Sequence, residues 1–213
     1  MNQVIPVMEN IQDRNDKIAA ELNRELTGRQ VFAVNVMGCP GAGKTTCLTY
    51  ILPKLPRKSF VIEGDIASDI DTIKLTELGI ATRQINTGGA CHLDSPLIEN
   101  AVPDDFSDGF LFIENIGNLV CPAEFMIGEH IKLLISSVTE GSDKPYKYPL
   151  AFEKADLILL NKCDLIPYLN FDEELFTRGV RQLNPSVPII KVSGQTGEGF
   201  DEAAKWLTER VIG

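Results

Sequence analysis

Basic residues are under-represented in this sequence of 213 residues. Lysine and arginine number 20 against 30 aspartates and glutamates, which gives a formal net charge of −10. A surface of that sign repels phosphate-rich polymers and anionic lipids, so we expect neither nucleic acid nor a membrane as a partner. The sequence also has no apolar run of bilayer-spanning length, and its first residues lack the basic and apolar regions of a secretion signal. We therefore expect a cytoplasmic protein.

Histidine and cysteine are scarce as well. The chain has two histidines, at positions 92 and 130, and five cysteines whose odd number and irregular spacing fit no disulfide framework. Their thiols are therefore expected to stay reduced and to serve packing, metal binding or catalysis. Repeats and low-complexity linkers are also missing, and a hydrophobic content of 44% in this length suits one compact unit.

Apolar runs separated by helical patterns make up most of the chain. Seven such runs predict strands at 31–37, 59–65, 81–85, 109–114, 132–140, 155–161 and 187–193. Their near-continuous hydrophobicity predicts an α/β fold with a mostly parallel sheet and helices on both faces. Ahead of them, Ile11, Ile18, Leu22 and Leu26 lie at helical spacing and Gly28 follows. We expect an N-terminal amphipathic helix over 1–28 and the main domain over 29–213.

The segment GCPGAGKT at 38–45 directly follows the first predicted strand and matches the phosphate-loop pattern G-x-x-x-x-G-K-S/T. Its glycines let backbone N–H groups surround phosphates, and the next helix presents its positive end to them. Lys44 is predicted to reach the β- and γ-phosphates, and the Thr45 hydroxyl to bind Mg²⁺. The main domain is thus predicted to be a P-loop NTPase. The expected phosphate contacts are Gly38, Cys39, Pro40, Gly41, Ala42, Gly43, Lys44, Thr45 and Thr46.

Guanine is the expected base. The segment NKCD at 161–164 closes a predicted strand and has the N-K-x-D form of guanine-nucleotide proteins. The Asp164 carboxylate can accept from N1–H and the 2-amino group of guanine, whereas adenine has no matching pair of donors. Lys162 can lay its stem along the base, and Asn161 can brace the loop. Ser193 and Gly194 belong to a later loop, SGQTG, whose backbone suits the guanine oxygen, so we expect GTP rather than ATP.

Acidic residues at two strand ends are candidates for the hydrolytic site. Glu114 ends the strand in FIENIG, where it can hold Mg²⁺ directly or through water, and Gly117 can free the backbone near the γ-phosphate. Asp65, in IEGD, is the second expected magnesium partner. Glu63 lies two positions back on the same face of that strand. For Asp65 and Glu63, the competing interpretation is that each is simply a solvated acidic residue at the end of a strand.

The segment GGACHLDS at 88–95 places Cys91 beside His92 after two glycines. Adjacent side chains of an extended strand point to opposite faces, but a glycine-led loop removes that restriction. Cys121, just past Gly117, offers a third soft ligand. Two thiolates and an imidazole suit Zn²⁺ or Ni²⁺ and leave one position for water or a second subunit. Plain packing of the two cysteines is the alternative, and His130 is expected to be a surface or satisfied histidine.

Several of these segments together resemble one family. GCPGAGKTT, VIEGD, GGACHLDS, ENIGNLVCPAEF, SVTEGSDKPYKYP and NKCDL occur in the order and spacing of HypB, the nickel-incorporation GTPases of NiFe-hydrogenase maturation. The likeness covers about residues 30–213. It implies a GTPase of the SIMIBI class that dimerises across its nucleotide face, with Cys91, His92 and Cys121 as a Zn²⁺ or Ni²⁺ site at the dimer interface. It also places Lys144 and Lys147 near the nucleotide of the dimer.

The resemblance implies a GTP-hydrolysing metallochaperone that regulates nickel delivery to a NiFe-hydrogenase large-subunit precursor, with GTP-dependent homodimers and a HypA-like nickel chaperone as partners. Two features depart from some members. Residues 1–30 contain neither cysteine nor histidine, which argues against high-affinity nickel storage there, and Cys39 occupies a phosphate-loop position where serine is common. The alternatives are a nickel-insertion GTPase for urease or another enzyme, and a GTP-binding assembly module without a functional metal site.

Overall fold

The computed structural model describes the backbone of residues 7–64 and 69–211 and the side chains of 12–64 and 73–211. Seven parallel strands form one sheet in the order β3-β2-β4-β1-β5-β6-β7. The strands are β1 (Val31–Met37), β2 (Lys58–Glu63), β3 (Ala81–Gln84), β4 (Gly109–Glu114), β5 (Ile131–Ser137), β6 (Leu157–Asn161) and β7 (Ile189–Lys191). All seven predicted strands are confirmed: two have the predicted bounds, and the ends of the other five differ by at most three residues.

Nine α-helices occur in the described part of the chain. They are α1 (Val7–Gly28), α2 (Lys44–Ile51), α3 (Asp69–Glu77), α4 (Ser95–Ala101), α5 (Cys121–Glu124), α6 (Lys144–Lys147), α7 (Pro149–Lys154), α8 (Glu173–Leu183) and α9 (Phe200–Val211). Short 3₁₀ turns cover Leu52–Lys54, Val138–Glu140 and Cys163–Tyr168. Residues 138–140, predicted to extend the fifth strand, instead form a turn, because the Ser137 side chain caps it and Glu140 completes a capping box.

Alternate residues of the strands pack on opposite faces of the sheet. On one face, Val34 and Phe112 belong to a buried cluster with Leu48 of α2 and Phe200 of α9. On the other face, α1, α4, α7 and α8 cover two further clusters. Helices therefore flank the sheet on both sides, as the hydrophobic runs predict.

The predicted N-terminal helix is present and ends at Gly28. Leu22 and Leu26 are buried with Leu111 and Ile113 of β4, so α1 forms part of the core. The predicted domain boundary at residue 28 stays a prediction. Within the described residues, no helix has both the length and the apolar character needed to cross a membrane.

Parallel pairing brings the carboxyl ends of the strands to one edge of the sheet. β1 ends before the phosphate loop, β4 ends at Glu114 and β6 ends at Asn161. Loops at this edge carry the functional residues of open α/β sheets, since ligands bind where the connections diverge. The predicted site residues that the structure describes lie on these loops or at their borders.

Candidate functional site

The phosphate loop is held in shape by glycines and by the loop after β6. Gly41 and Gly43 have φ angles of 76° and 93°, which favour glycine. A Cβ atom on Gly43 would lie 2.4 Å from Nδ2 of Asn161, so the two loops are in close contact. Asn161 Nδ2 donates to the Ala42 carbonyl at 2.8 Å, and Lys162 Nζ donates to the Gly41 carbonyl at 2.9 Å. Asn161 thus braces the loop.

Lys44 and Thr45 begin α2 and face the end of β4. Lys44 is buried, and its Nζ donates to the Gly38 carbonyl at 3.4 Å, close to the amides that would surround phosphates. The Thr45 hydroxyl lies 2.9 and 3.1 Å from the carboxylate oxygens of Glu114. Glu63 pairs in register with Glu114 on the neighbouring strand. A hydroxyl with nearby carboxylates is a suitable oxygen donor set for Mg²⁺, whereas Asp65 lies outside the described residues.

A cavity of about 370 Å³ lies beside the phosphate loop. It is lined by Gly43, Thr46, Asn161, Lys162, Asp164, Leu165, Gly194 and Gln195. The Ser193 hydroxyl donates to Asp164 Oδ1 at 2.6 Å, which fixes one oxygen of the carboxylate. Lys162, two residues before Asp164, has a backbone φ of 62°, which is unusual for a residue other than glycine. The cavity therefore joins the three loops that the sequence assigns to the nucleotide.

Cys91, His92 and Cys121 come together at the same edge of the sheet. Their ligand atoms all lie within 4.8 Å of one another, and Cys91 Sγ is 3.3 Å from His92 Nδ1. The His92 ring stacks on Phe125 with centroids 4.2 Å apart. Desolvation by burial lowers the pKa of His92, which favours the neutral, metal-binding imidazole. A hydrogen bond with Cys91, together with burial, raises the pKa of the Cys121 thiol.

The backbone around Cys91 explains how two adjacent residues face one point. Gly88 and Gly89 have φ angles of 61° and 97°, and the Gly88 amide donates to Asn86 Oδ1 at 3.0 Å. The chain therefore turns before Cys91 instead of continuing as a strand. Asp94 then caps α4 by accepting from the Leu97 amide at 3.0 Å. All five cysteines of the chain are free thiols.

The cluster of Cys91, His92 and Cys121 adjoins the phosphate loop through the segment after Glu114. Gly38 and Asn118 form an antiparallel bridge, and Asn118 Nδ2 donates to the Cys91 carbonyl at 3.2 Å. A Cβ atom on Gly117 would lie 2.7 Å from Cγ of Pro40. Gly117 is thus needed for the close approach of the two segments.

The structure also shows the contacts of four other residues considered in the sequence analysis. Lys144 Nζ lies 3.2 Å from Cys39 Sγ, so this thiol faces a lysine and is outside the Cys91 cluster. The exposed Lys147 pairs with Asp143. His130 is a satisfied histidine, as predicted, since its Nδ1 accepts from the Ala33 amide and its Nε2 lies 2.9 Å from the Thr27 hydroxyl.

Sequence reasoning missed several residues that contact the loops of the cysteine–histidine cluster or line the cavity beside the phosphate loop. Asn115 and Asn118 lie within the segment ENIGNLVCPAEF, but their amides signal no chemistry by spacing alone. Phe125 belongs to the same segment, and its contact with His92 joins residues that are 33 positions apart. Leu165 lines the nucleotide cavity directly after NKCD. The one signal that the sequence offers for these residues is that each lies within or beside a recognised motif.

The chain is similar to known maturation factors along most of its length. Residues 32–191 match the family described as CobW/HypB/UreG, nucleotide-binding domain. The hydrogenase maturation factor HypB of Azotobacter vinelandii is 44% identical over 210 residues, covering 97% of this chain and 69% of that protein. HypB of Escherichia coli K12 is also 44% identical, over 96% of this chain and 72% of the relative.

The fold of the chain is also similar to that of a solved HypB structure. The crystal structure of HypB from Helicobacter pylori in complex with nickel superposes with a TM-score of 0.88 at 34% identity, covering 93% of this chain and 95% of that one. The agreement thus extends from sequence to three-dimensional fold. The chain belongs to the CobW/HypB/UreG nucleotide-binding family and, within it, to the HypB hydrogenase maturation factors.

Proposed function

We propose that this chain is a GTP-hydrolysing metallochaperone that regulates nickel delivery to the large-subunit precursor of a NiFe hydrogenase. The observation that carries the proposal is the cluster of Cys91, His92 and Cys121, whose ligand atoms lie within 4.8 Å on loops that adjoin the phosphate loop. A soft-ligand site beside a nucleotide site lets the state of the nucleotide control the metal. The relatives named as hydrogenase maturation factors favour hydrogenase as the client.

Guanine recognition is assigned to the loop after β6. Asp164 accepts from N1–H and the 2-amino group, and its hydrogen bond from Ser193 keeps the carboxylate oriented. Asn161 holds the phosphate loop through the Ala42 carbonyl. Gly194 lines the same cavity, where its backbone can contact the guanine oxygen.

Hydrolysis is assigned to the junction of the phosphate loop, α2 and β4. Lys44 compensates charge on the β- and γ-phosphates, and the Gly117 backbone follows the γ-phosphate. Thr45, Glu114 and Asp65 are the proposed holders of Mg²⁺, which when bound neutralises charge on the β- and γ-phosphates. The contact between the Thr45 hydroxyl and the Glu114 carboxylate supports the first two assignments.

The metal cargo is Ni²⁺, with Zn²⁺ as a competing occupant of the same ligands. Two thiolates and one neutral imidazole suit both ions and leave one coordination position open. The exposure of Cys91 argues against plain packing, because a core cysteine is normally buried. We assign the open position to a second subunit, so that a GTP-dependent homodimer completes the site. A HypA-like chaperone and the hydrogenase precursor are the proposed partners, in the cytoplasm.

Metal titration in the two nucleotide states tests this function. The protein is titrated with Ni²⁺ and Zn²⁺ in its GDP and GTP-analogue forms while its oligomeric state is followed by light scattering. We expect one ion per cluster, a nucleotide-dependent affinity, and dimers with the GTP analogue. Cys91→Ala is expected to abolish stoichiometric binding, whereas the matched variant Cys163→Ala, in a thiol outside the cluster, retains it. Equal binding by wild type and a Cys91→Ala, Cys121→Ala double variant would refute the site.

A further inference from the structure

Asn115 links the end of β4 to the loop that carries Cys91 and His92. It is fully buried directly after Glu114, and its Oδ1 accepts from the Leu93 amide at 3.2 Å and from the Ile116 amide at 2.9 Å. Two backbone N–H groups donate to this atom, so it must be the oxygen of the amide. Leu93 is the residue after His92. One side chain therefore ties the segment that follows Glu114 to the first ligand loop.

The nitrogen of the Asn115 amide begins a series of hydrogen bonds between buried polar side chains. Its Nδ2 donates to Asn35 Oδ1 at 3.2 Å, and Asn35 Nδ2 lies 3.4 Å from Glu129 Oε1. Glu129 also accepts from the Ile127 amide and pairs with the buried ammonium group of Lys132. Asn35, Asn115, Glu129 and Lys132 are hereafter called the buried network.

Lys132 connects the buried network to the second ligand loop. Its Nζ donates to the Phe125 carbonyl at 2.9 Å and lies 3.4 Å from the Pro122 carbonyl. Pro122 is the residue after Cys121, and Phe125 stacks on the His92 ring. The buried network thus begins one residue from His92 and ends one residue from Cys121, which are 29 positions apart in the sequence.

The energetics of the buried network point to a role beyond packing. A buried ion pair loses its hydration on folding, and apolar side chains of similar volume are often equally stabilising or better. Hydrogen-bonded networks of this kind instead fix particular arrangements, because a displaced partner leaves a buried polar group unsatisfied. The arrangement that this network fixes is the separation of the two ligand loops.

We propose that the buried network is a positioning device for the three-ligand cluster, with Asn115 and Lys132 as its positioning residues. Asn115 holds the loop of Cys91 and His92, Lys132 holds the loop of Cys121, and their connection sets the distance across which a metal ion must be bound. This inference rests on the proposed metal site. Polar groups that orient ligand-bearing segments contribute strongly to metal affinity, since misplaced ligands bind weakly.

Zinc affinity of the full chain tests the proposal, with competition against a chromogenic chelator as the assay. Asn115→Ala is expected to weaken Zn²⁺ binding about 10- to 100-fold, much more than it weakens GDP binding. Asn115→Asp keeps an oxygen for the Leu93 and Ile116 amides and is expected to restore part of the loss. Lys132→Met removes the contacts with the Pro122 and Phe125 carbonyls beside Cys121 and is expected to weaken Zn²⁺ binding as well.

Asn184→Ala is the matched control for a purely structural role. Asn184 Nδ2 donates to the carbonyls of Phe152, Glu153 and Ala155 at the end of α7, so the variant also removes side-chain ties to the backbone, but outside the buried network. We expect it to lower the unfolding temperature with wild-type zinc affinity. Wild-type zinc affinity in folded Asn115→Ala or Lys132→Met, or an equal loss in Asn184→Ala, would overturn the proposal.

A readout without metal separates this proposal from the proposed function. Dibromobimane becomes fluorescent on bridging two nearby thiols, and Cys91→Ser supplies the background from other cysteines. We expect fast bridging of Cys91 and Cys121 in wild type and slow bridging in Asn115→Ala and Lys132→Met. Failure of wild type to bind Ni²⁺ or Zn²⁺, with bridging still slowed in both variants, would refute the proposed function but not the positioning of the two loops. Unchanged bridging in both variants would refute the positioning role.

Discussion

The Thr45 hydroxyl lies 2.9 and 3.1 Å from the two carboxylate oxygens of Glu114. This contact joins the second residue of α2 to the last residue of β4, across the point where the phosphate loop would place the γ-phosphate. Both groups are oxygen donors of the kind that Mg²⁺ prefers. A change at Glu114 should therefore affect the chemical step more than nucleotide binding, which depends largely on the backbone of the loop.

Glu114→Gln is expected to lower the rate constant of GTP hydrolysis about 100-fold or more while GDP affinity changes little. The amide keeps the size of the side chain but removes the negative charge that we assign to holding Mg²⁺. Single-turnover phosphate release and a GDP titration measure the two quantities. Glu99→Gln, at an exposed position of α4, is the control. Hydrolysis at the wild-type rate in Glu114→Gln would contradict this assignment.

Asp164→Asn is expected to weaken GTP binding by about 2 kcal/mol or more, because an amide cannot accept from both guanine donors. Xanthosine triphosphate presents an acceptor at position 2 and should bind the variant better than GTP does. Ser193→Ala removes only the 2.6 Å hydrogen bond that orients the carboxylate and should give a smaller loss. Competition titrations with GTP, ATP and xanthosine triphosphate measure these differences. Equal competition by ATP and GTP in wild type would rule out guanine selectivity.

The fold and the residue types of the site follow from the sequence because their signals are local. Buried parallel strands are continuous apolar runs, and the phosphate-loop and NKCD motifs are each made of residues adjacent in the chain. The convergence of Cys91 and His92 with Cys121 was predicted from ligand chemistry and loop position, and the structure brings the three together.

The supports of the site could not be predicted in the same way. Asn115 contacts Leu93 and Asn35, which are 22 and 80 positions away, and the amide of an asparagine is chemically unremarkable in a sequence. The partner of such a side chain depends on the order of strands in the sheet. Strand order is a property of the whole fold, so local spacing does not contain it.

His130 should make stability depend on pH. Burial lowers its pKa below the ordinary value of 6.5. Its Nδ1 accepts from the Ala33 amide, and the Thr27 hydroxyl already donates to the Asn23 carbonyl, so the neutral Nε2–H form fits both contacts. The unfolded chain binds a proton more readily than the folded one. The stabilisation that neutral His130 adds to the free energy of unfolding is therefore complete well above pH 6.5. It is lost as the pH falls from there toward the folded-state pKa.

Urea unfolding at several pH values measures this dependence. Wild type should lose free energy of unfolding as the pH falls below about 6.5, and His130→Gln should lose less across the same window. His92→Gln serves as the comparison, because burial also lowers the pKa of His92 and the chain has no other histidine. An unchanged pH dependence in His130→Gln would show that His130 is not responsible.

Nucleotide and metal should be linked through Asn118. This residue pairs with Gly38 of the phosphate loop and donates to the Cys91 carbonyl at 3.2 Å, so a displacement of the loop reaches the ligand cluster directly. Gly117→Ala is a less specific probe of this link. Its added Cβ would lie 2.7 Å from Cγ and 3.0 Å from the backbone nitrogen of Pro40, which would distort the phosphate loop itself.

Ni²⁺ and Zn²⁺ dissociation constants are expected to differ between the GDP and GTP-analogue forms by about 5- to 150-fold. Reciprocity supplies an internal check, since each metal must change the ratio of GDP to GTP-analogue affinity by the same factor. Asn118→Ala removes the hydrogen bond to the Cys91 carbonyl and should bring that factor toward one. Asn100→Ala, which loses only a contact within α4, should leave it unchanged. Equal metal affinities in both nucleotide forms of wild type would mean that the metal site and the nucleotide site are uncoupled, and nucleotide-controlled release of nickel would then lack a physical basis.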